Sequence, residues 1–217
     1  MDDFHERLAR VGLAALARYG FALAGGYAVQ AHGILERPSE DIDLFATLAA
    51  EPAFTDAVAA AVAAYRGDGL DVTVVVQNAG FARLEVTDPG SRRTSKVELG
   101  LDWRRFPPTV LEIGPVLARD DAVANKVSAV YSRGQARDYI DVDAALLSGL
   151  YTPEQLLGLA VDHDPHFAVR HFAEALLAIR RLPLAEFTAY GLTLDEAHGL
   201  VGRITEWADQ LGSSEAG

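Results

Sequence analysis

The sequence predicts an α/β unit over residues 1–118 followed by a helical unit over residues 119–217. Two observations predict this. Up to residue 103, short apolar or alternating runs are interleaved with runs of helical period. From about residue 119 onward only the helical period recurs, and the change falls near Pro115.

The elements follow in order. Residues 2–19 carry Phe4, Leu8, Val11 and Leu16 at near-helical spacing, and Gly20 closes that helix. Residues 21–24 read as a short buried strand, Gly25-Gly26 as a turn, and residues 27–35 as a second helix. Residues 42–45 read as a strand, and an alanine-rich helix follows over 52–65, with Pro52 at its start where a missing N–H costs little. Three strands come next, at 71–77, 81–86 and 95–103, with Asn78-Ala79-Gly80 turning the first into the second. Helices are expected at 120–133, 136–148, 153–161, 165–181, 183–190 and 194–211. Thr152-Pro153 and Asp164-Pro165 read as cap-plus-proline starts. The tail, 212–217, is expected to be disordered.

Composition narrows the function classes. Half of the 217 residues are hydrophobic and 23% are charged, as in ordinary soluble globular chains. No apolar run is long enough to span a membrane, so no membrane partner is expected. The acidic start at Asp2-Asp3 does not read as a signal peptide, which places the protein in the cytoplasm. The absence of cysteine excludes disulfides and thiolate metal sites. The net charge of −12 disfavours non-specific binding to nucleic acid, which depends on neutralising phosphates. A nucleic-acid acceptor would need a focused basic patch, and Arg92, Arg93, Arg104 and Arg105 are the candidates for it.

The informative segment runs from the glycine turn to the strand after it. On a strand, Asp41 and Asp43 point to the same face, and Ile42 and Leu44 point to the other. Two carboxylates about 7 Å apart along a strand repel unless a cation lies between them. Hard oxygen ligands of this kind suit Mg²⁺ (or Mn²⁺), which also takes phosphate oxygens. Gly25 and Gly26 lie between a strand and a helix, where bare backbone N–H groups can approach a phosphate. Strand, Gly-Gly, helix, then Asp-x-Asp on the next strand therefore brings phosphate and metal together. Ser39, two residues before Asp41, falls on the metal-facing side by the same alternation.

These residues resemble the nucleotidyltransferase superfamily that shares its fold with DNA polymerase beta. Within it they are most similar to the AbiEii/AbiGii-type toxins, a branch that includes the mycobacterial MenT toxins. That branch shows Gly-Gly-x-Ala, a later His, then Arg-x-Ser-x-Asp-Ile-Asp-Leu. Here Gly25, Gly26, Ala28, His32, Arg37, Ser39, Asp41, Ile42, Asp43 and Leu44 stand in those places. A Lys and an Arg-Asp-x-x-Asp element follow in the branch, matched here by Lys126 and by Arg137-Asp138-Tyr139-Ile140-Asp141. The match runs from about residue 20 to 147.

The resemblance implies a mixed sheet with flanking helices and a C-terminal helical bundle. It implies NTP as substrate, tRNA as acceptor and a cognate antitoxin as partner. It also implies a third carboxylate on a neighbouring alternating strand. Glu98 is favoured because it sits between apolar residues, where an acid is costly without a partner, with Asp102 and Glu85 as alternatives. Lys126 is expected to reach a triphosphate, and Asp138 to orient Lys126 or a substrate hydroxyl. Two other functions remain open. One is an antibiotic nucleotidyltransferase, whose aminoglycoside-like acceptor would suit an acidic protein. The other is a non-catalytic member that only binds nucleotide.

Overall fold

The computed structural model describes residues 1–214. Two compact units divide the chain. The first comprises Met1–His32 and Pro38–Arg119, and the second Gly33–Arg37 and Asp120–Gly217. The short segment Gly33–Arg37 thus groups with the helical part of the chain. Among the described residues, no helix is long and apolar enough to cross a membrane.

The first unit is built on one mixed sheet. Its strands are β1 (Ala22–Leu23), β2 (Asp41–Ala46), β3 (Asp71–Gln77), β4 (Phe81–Thr87), β5 (Thr94–Leu101), β6 (Thr109–Leu111) and β7 (Gly114–Val116). They lie in the order β3-β4-β5-β2-β1-β7-β6. β2 runs parallel to β5, and β1 parallel to β7, while the remaining neighbours are antiparallel.

Helices α1 (Asp3–Leu16) and α3 (Phe54–Gly67) cover the face that carries Leu44. Leu8, Leu16, Ala57, Ala61 and Tyr65 meet Ile42, Leu44, Val97, Leu99, Leu84 and Val86 in the core, all fully buried. Gly12 is required at the crossing: a Cβ there would come within 2.5 Å of the Tyr65 hydroxyl and 2.6 Å of a Leu44 methyl. Asp2 caps α1 by accepting the N–H groups of Phe4 and His5 at 3.0 and 3.1 Å.

The second unit holds α4 from Asp120 onward (Arg119–Ser132 in full), α5 (Ala136–Leu147), α6 (Pro153–His163), α7 (Val169–Leu177), α8 (Leu184–Thr188) and α9 (Leu194–Ser214). α9 packs on both α7 and α5. Phe172 meets Trp207 edge-on at 5.2 Å, and the Tyr139 hydroxyl donates to the Ala175 carbonyl at 2.7 Å. Thr152 and Gln155 form a reciprocal capping box at the start of α6, with Pro153 in its first turn, as expected.

Several elements differ from the sequence-based expectation. The second helix, α2, spans Gly25–Ala31 and starts two residues earlier than expected. It stops at His32 because Gly33 turns left-handed at φ 72°. Pro52 lies in a 3₁₀ segment, Leu48–Ala53, and the α-helix proper begins only at Phe54. Asp164 does not start a helix with Pro165. Its carboxylate accepts the His166 N–H at 2.8 Å in a local turn, and α7 begins at Val169. The β6–β7 hairpin has no counterpart in the expected elements. Residues 212–214 continue α9 rather than being disordered, and residues 215–217 lie outside the described residues.

Candidate active site

Parallel pairing of β2 with β5 aligns Asp41 with Lys96 and Asp43 with Glu98. The burial alternates along both strands: Ile42, Leu44, Val97 and Leu99 are buried, and Asp41, Asp43 and Glu98 are half-buried on the opposite face. One carboxylate oxygen from each of these three acids lies within 4.8 Å of the others. Three carboxylates so close destabilise one another unless a cation or donors intervene. The donor set is all hard oxygen with no nitrogen or sulfur, which fits Mg²⁺ or Mn²⁺.

Glu98 is thereby the acid that joins the pair. Asp102 lies one residue past β5, where its N–H is bonded to the Ala46 carbonyl at 2.9 Å and its carboxylate accepts the Trp103 N–H at 2.8 Å. Glu85 sits on β4 opposite Lys96, exposed. A residue that sequence reasoning passed over, Arg83 on β4, faces Glu98 in register and donates its Nε to Glu98 Oε1 at 2.7 Å. It orients the third acid and offsets part of its charge.

The glycine turn is fastened to the same strand. The Ala24 N–H donates to the Asp43 carbonyl at 2.8 Å, and Gly25 follows with φ 60° as the first residue of α2. A Cβ on Gly25 would overlap the Asp43 carboxylate. Glycine is needed here twice over, for the left-handed backbone and for the room it leaves the acid. Ala24 caps α2 without a side-chain acceptor, so the first-turn N–H groups of Gly25 and Gly26 receive none from it. Ser39 lies two residues before β2 begins, outside the strand whose alternation was expected to place it, and its Oγ lies 3.5 Å from Asp41 Oδ1. Gly25→Ala is expected to lower folding stability by about 1–3 kcal/mol through backbone strain. It should also push Asp43 out of place, so that transfer activity falls further than the unfolding midpoint in urea explains.

Lys126 and Asp138 belong to the second unit. Lys126 Nζ is paired with Asp141 Oδ2 at 2.9 Å, which corrects the expectation that Asp138 orients it. Asp138 is fully buried and engaged elsewhere: Arg133 grips it in two-pronged fashion at 2.8 and 2.9 Å, and as the third residue of α5 it reaches back to accept the N–H of the N-cap, Gln135, at 3.1 Å. Asp141 also holds Arg37 through two bonds of 2.6 and 2.7 Å, and all three side chains are buried. Burial alone would raise the pKa of Asp141, but the Lys126 and Arg37 charges outweigh it and hold the carboxyl below its ordinary value. Arg37 and Asp141 were visible as motif residues, but nothing in their spacing showed that Arg37 and Lys126 share Asp141.

The four arginines proposed as a patch do not form one. Arg92 and Arg93 precede β5, and Arg104 and Arg105 follow it. Eight strand residues separate the pairs by about 26 Å. Arg93 is bonded to Asp2 at 2.9 Å and lies over the Phe4 ring, while Arg104 donates to the Gly20 carbonyl at 3.2 Å. His32 Nε2 lies 2.8 Å from the Leu117 carbonyl, a structural bond.

Solved structures share this fold. MenT4, a nucleotidyltransferase toxin from Mycobacterium tuberculosis, superposes with a TM-score of 0.60 at 17% identity, over 95% of this chain and 83% of that one. JHP933 from Helicobacter pylori superposes with a TM-score of 0.57 at 16% identity, over 98% of this chain and 94% of that one. No curated protein matches the chain in sequence. Residues 8–197 match the family described as nucleotidyl transferase AbiEii toxin of type IV toxin–antitoxin systems. With that match running through both the acid-bearing sheet and the helical unit, the chain belongs to the AbiEii family of nucleotidyltransferase toxins.

Proposed function

We propose that this toxin transfers a nucleoside monophosphate from an NTP to a hydroxyl at a tRNA 3′ end, and that the transfer depends on a divalent metal. The observation that carries the metal dependence is the convergence of Asp41, Asp43 and Glu98 oxygens within 4.8 Å. These three residues would hold the ion. When bound, Mg²⁺ or Mn²⁺ supplies charge neutralisation for the triphosphate and makes the acceptor hydroxyl more acidic.

The residues around the acids do the positioning. Gly25 and Gly26 carry no side chain beside Asp43, so NTP phosphates can approach their backbone N–H groups. Ser39 offers a hydroxyl next to Asp41. Lys126, fixed by Asp141 at 2.9 Å, is the proposed cation for the triphosphate. The acceptor oxygen attacks the α-phosphorus in line, its proton leaves to solvent, and pyrophosphate departs. No covalent protein intermediate is required.

The tRNA acceptor is supported by the motif resemblance to the toxin branch. A cognate antitoxin and a cytoplasmic location belong to the same reading. A second reading has one observation in its favour: the charge of −12 suits a cationic small acceptor such as an aminoglycoside. Incubation with Mg²⁺, each labelled NTP in turn, and either total RNA or an aminoglycoside separates the two. Label in tRNA-sized RNA is the expected result. Label only in the aminoglycoside moves the acceptor to the small molecule, and no label in either overturns the catalytic reading.

A further inference from the structure

The N-terminal helix places one imidazole behind the acid site, where its partner Ser95 lies on the buried face of β5, opposite to Glu98. His5, on the first turn of α1, is 7% exposed. Its Nδ1 lies 2.5 Å from the Tyr27 hydroxyl and its Nε2 lies 2.7 Å from the Ser95 hydroxyl. Tyr27 stands directly after Gly25-Gly26 on α2. Ser95 stands on β5, three residues before Glu98. Each hydroxyl reaches on to the chain leading into Asp41. Tyr27 Oη lies 3.5 Å from the Ser39 carbonyl, and Ser95 Oγ lies 3.5 Å from the Glu40 carbonyl.

Burial lowers the pKa of His5, against the pull of Asp2 and Asp41 and with the push of Arg93 and the amino terminus. The ring is therefore neutral near pH 7, with one donor and one acceptor nitrogen. In one tautomer Tyr27 donates to Nδ1, Nε2–H donates to Ser95, and the Ser95 proton is left for the Glu40 or the Lys96 carbonyl, each 3.5 Å away. In the other, Ser95 donates to Nε2, Nδ1–H donates to Tyr27, and the Tyr27 proton is left for the Ser39 carbonyl. Either way the freed hydroxyl has a carbonyl just before Asp41 within 3.5 Å, Glu40 for Ser95 and Ser39 for Tyr27.

We propose that His5 is a positioning residue, which through Tyr27 and Ser95 sets the spacing between the glycine turn, Asp41 and Glu98 and so the affinity of the acid cluster for its metal. The inference rests on the metal site of the proposed function. No part of it requires His5 to touch substrate or metal. Removing a partner that orients metal ligands from behind weakens metal binding by about tenfold or more.

The test is calorimetric titration of Mn²⁺ into the full chain without NTP or acceptor, so that it does not depend on turnover. His5→Phe keeps the volume and removes both bonds. It is expected to weaken Mn²⁺ binding about tenfold, while His5→Gln, with one donor and one acceptor, recovers most of the affinity. If His5→Phe does not fold, Tyr27→Phe with Ser95→Ala removes the same bonds and should give the same loss. Parental affinity in a folded variant lacking these bonds overturns the inference. An equal loss in His5→Phe and His5→Gln also overturns it, because packing alone would then explain the effect. A parent chain that binds no Mn²⁺ is a different failure: it removes the metal reading itself, and this inference with it.

Discussion

Asp43→Ala is expected to abolish nucleotide transfer and leave the fold intact. Asp43 is the central acid: it is paired in register with Glu98, lies two residues from Asp41 on the same face, and has its carboxylate packed against Gly25. Its loss removes one of the three acids proposed to hold the metal and the charge that would place the ion beside the glycine turn. A loss of at least about a thousandfold in rate follows, which corresponds to about 4 kcal/mol of barrier. Folding should not suffer comparably. Three carboxylates so close repel, so removing one does not weaken the fold. The check pairs labelled transfer with thermal unfolding. Mn²⁺ should raise the melting temperature of the parent and not that of the variant, because only a folded state that binds the ion is stabilised by it. Transfer surviving in Asp43→Ala would sink the assignment of this acid cluster.

Asp141→Asn is expected to act in the opposite way, on stability before chemistry. The carboxylate compensates two buried cations, with Lys126 at 2.9 Å and Arg37 at 2.6 Å. An amide in its place leaves both without their shared anion. Breaking a buried ion pair from one side costs about 3–5 kcal/mol. The pH dependence follows from the lowered folded pKa of Asp141. A depressed carboxyl contributes stability that is fully present above its unfolded pKa of about 4, and loses it as pH falls through the folded value. The stability gap between parent and Asp141→Asn, measured by urea unfolding, should therefore be widest near neutral pH and narrow as the medium is acidified below about pH 4. A gap that does not change across that range would show that Asp141 carries no charge-dependent stabilisation.

Much of the active-site half was legible because its signals are local. Alternation alone placed Asp41 and Asp43 on one face and Ile42 and Leu44 on the other, and β2 obeys it residue by residue. The choice of Glu98 rested on its apolar flanks, and the structure supplies the reason: Val97 and Leu99 are fully buried, so the acid between them must face the other way. What sequence could not carry was pairing between distant segments. β2 and β5 meet in parallel across a long connection, and only that register brings Glu98 beside Asp43. Arg83 needed the β4–β5 register as well. Lys126 faced two acids one helical turn apart, Asp138 and Asp141, and helical spacing gave no way to choose. The choice falls to Asp141 because Asp138 is taken up in capping its own helix. The β6 and β7 strands of three residues each are too short to show a period at all.

The membership of Gly33–Arg37 in the second unit has a consequence for how the chain is made. Arg37 leaves the ribosome early, yet its carboxylate partner lies 104 residues further on. At ordinary elongation rates the guanidinium waits roughly 5–20 s for Asp141 to be synthesised. During that interval the strand carrying Asp41 and Asp43 is preceded by a segment with no finished structure to join. A nascent toxin therefore remains incomplete until its helical half has been translated, and a fragment ending at residue 119 would carry the acids without the anchor that holds the segment before them.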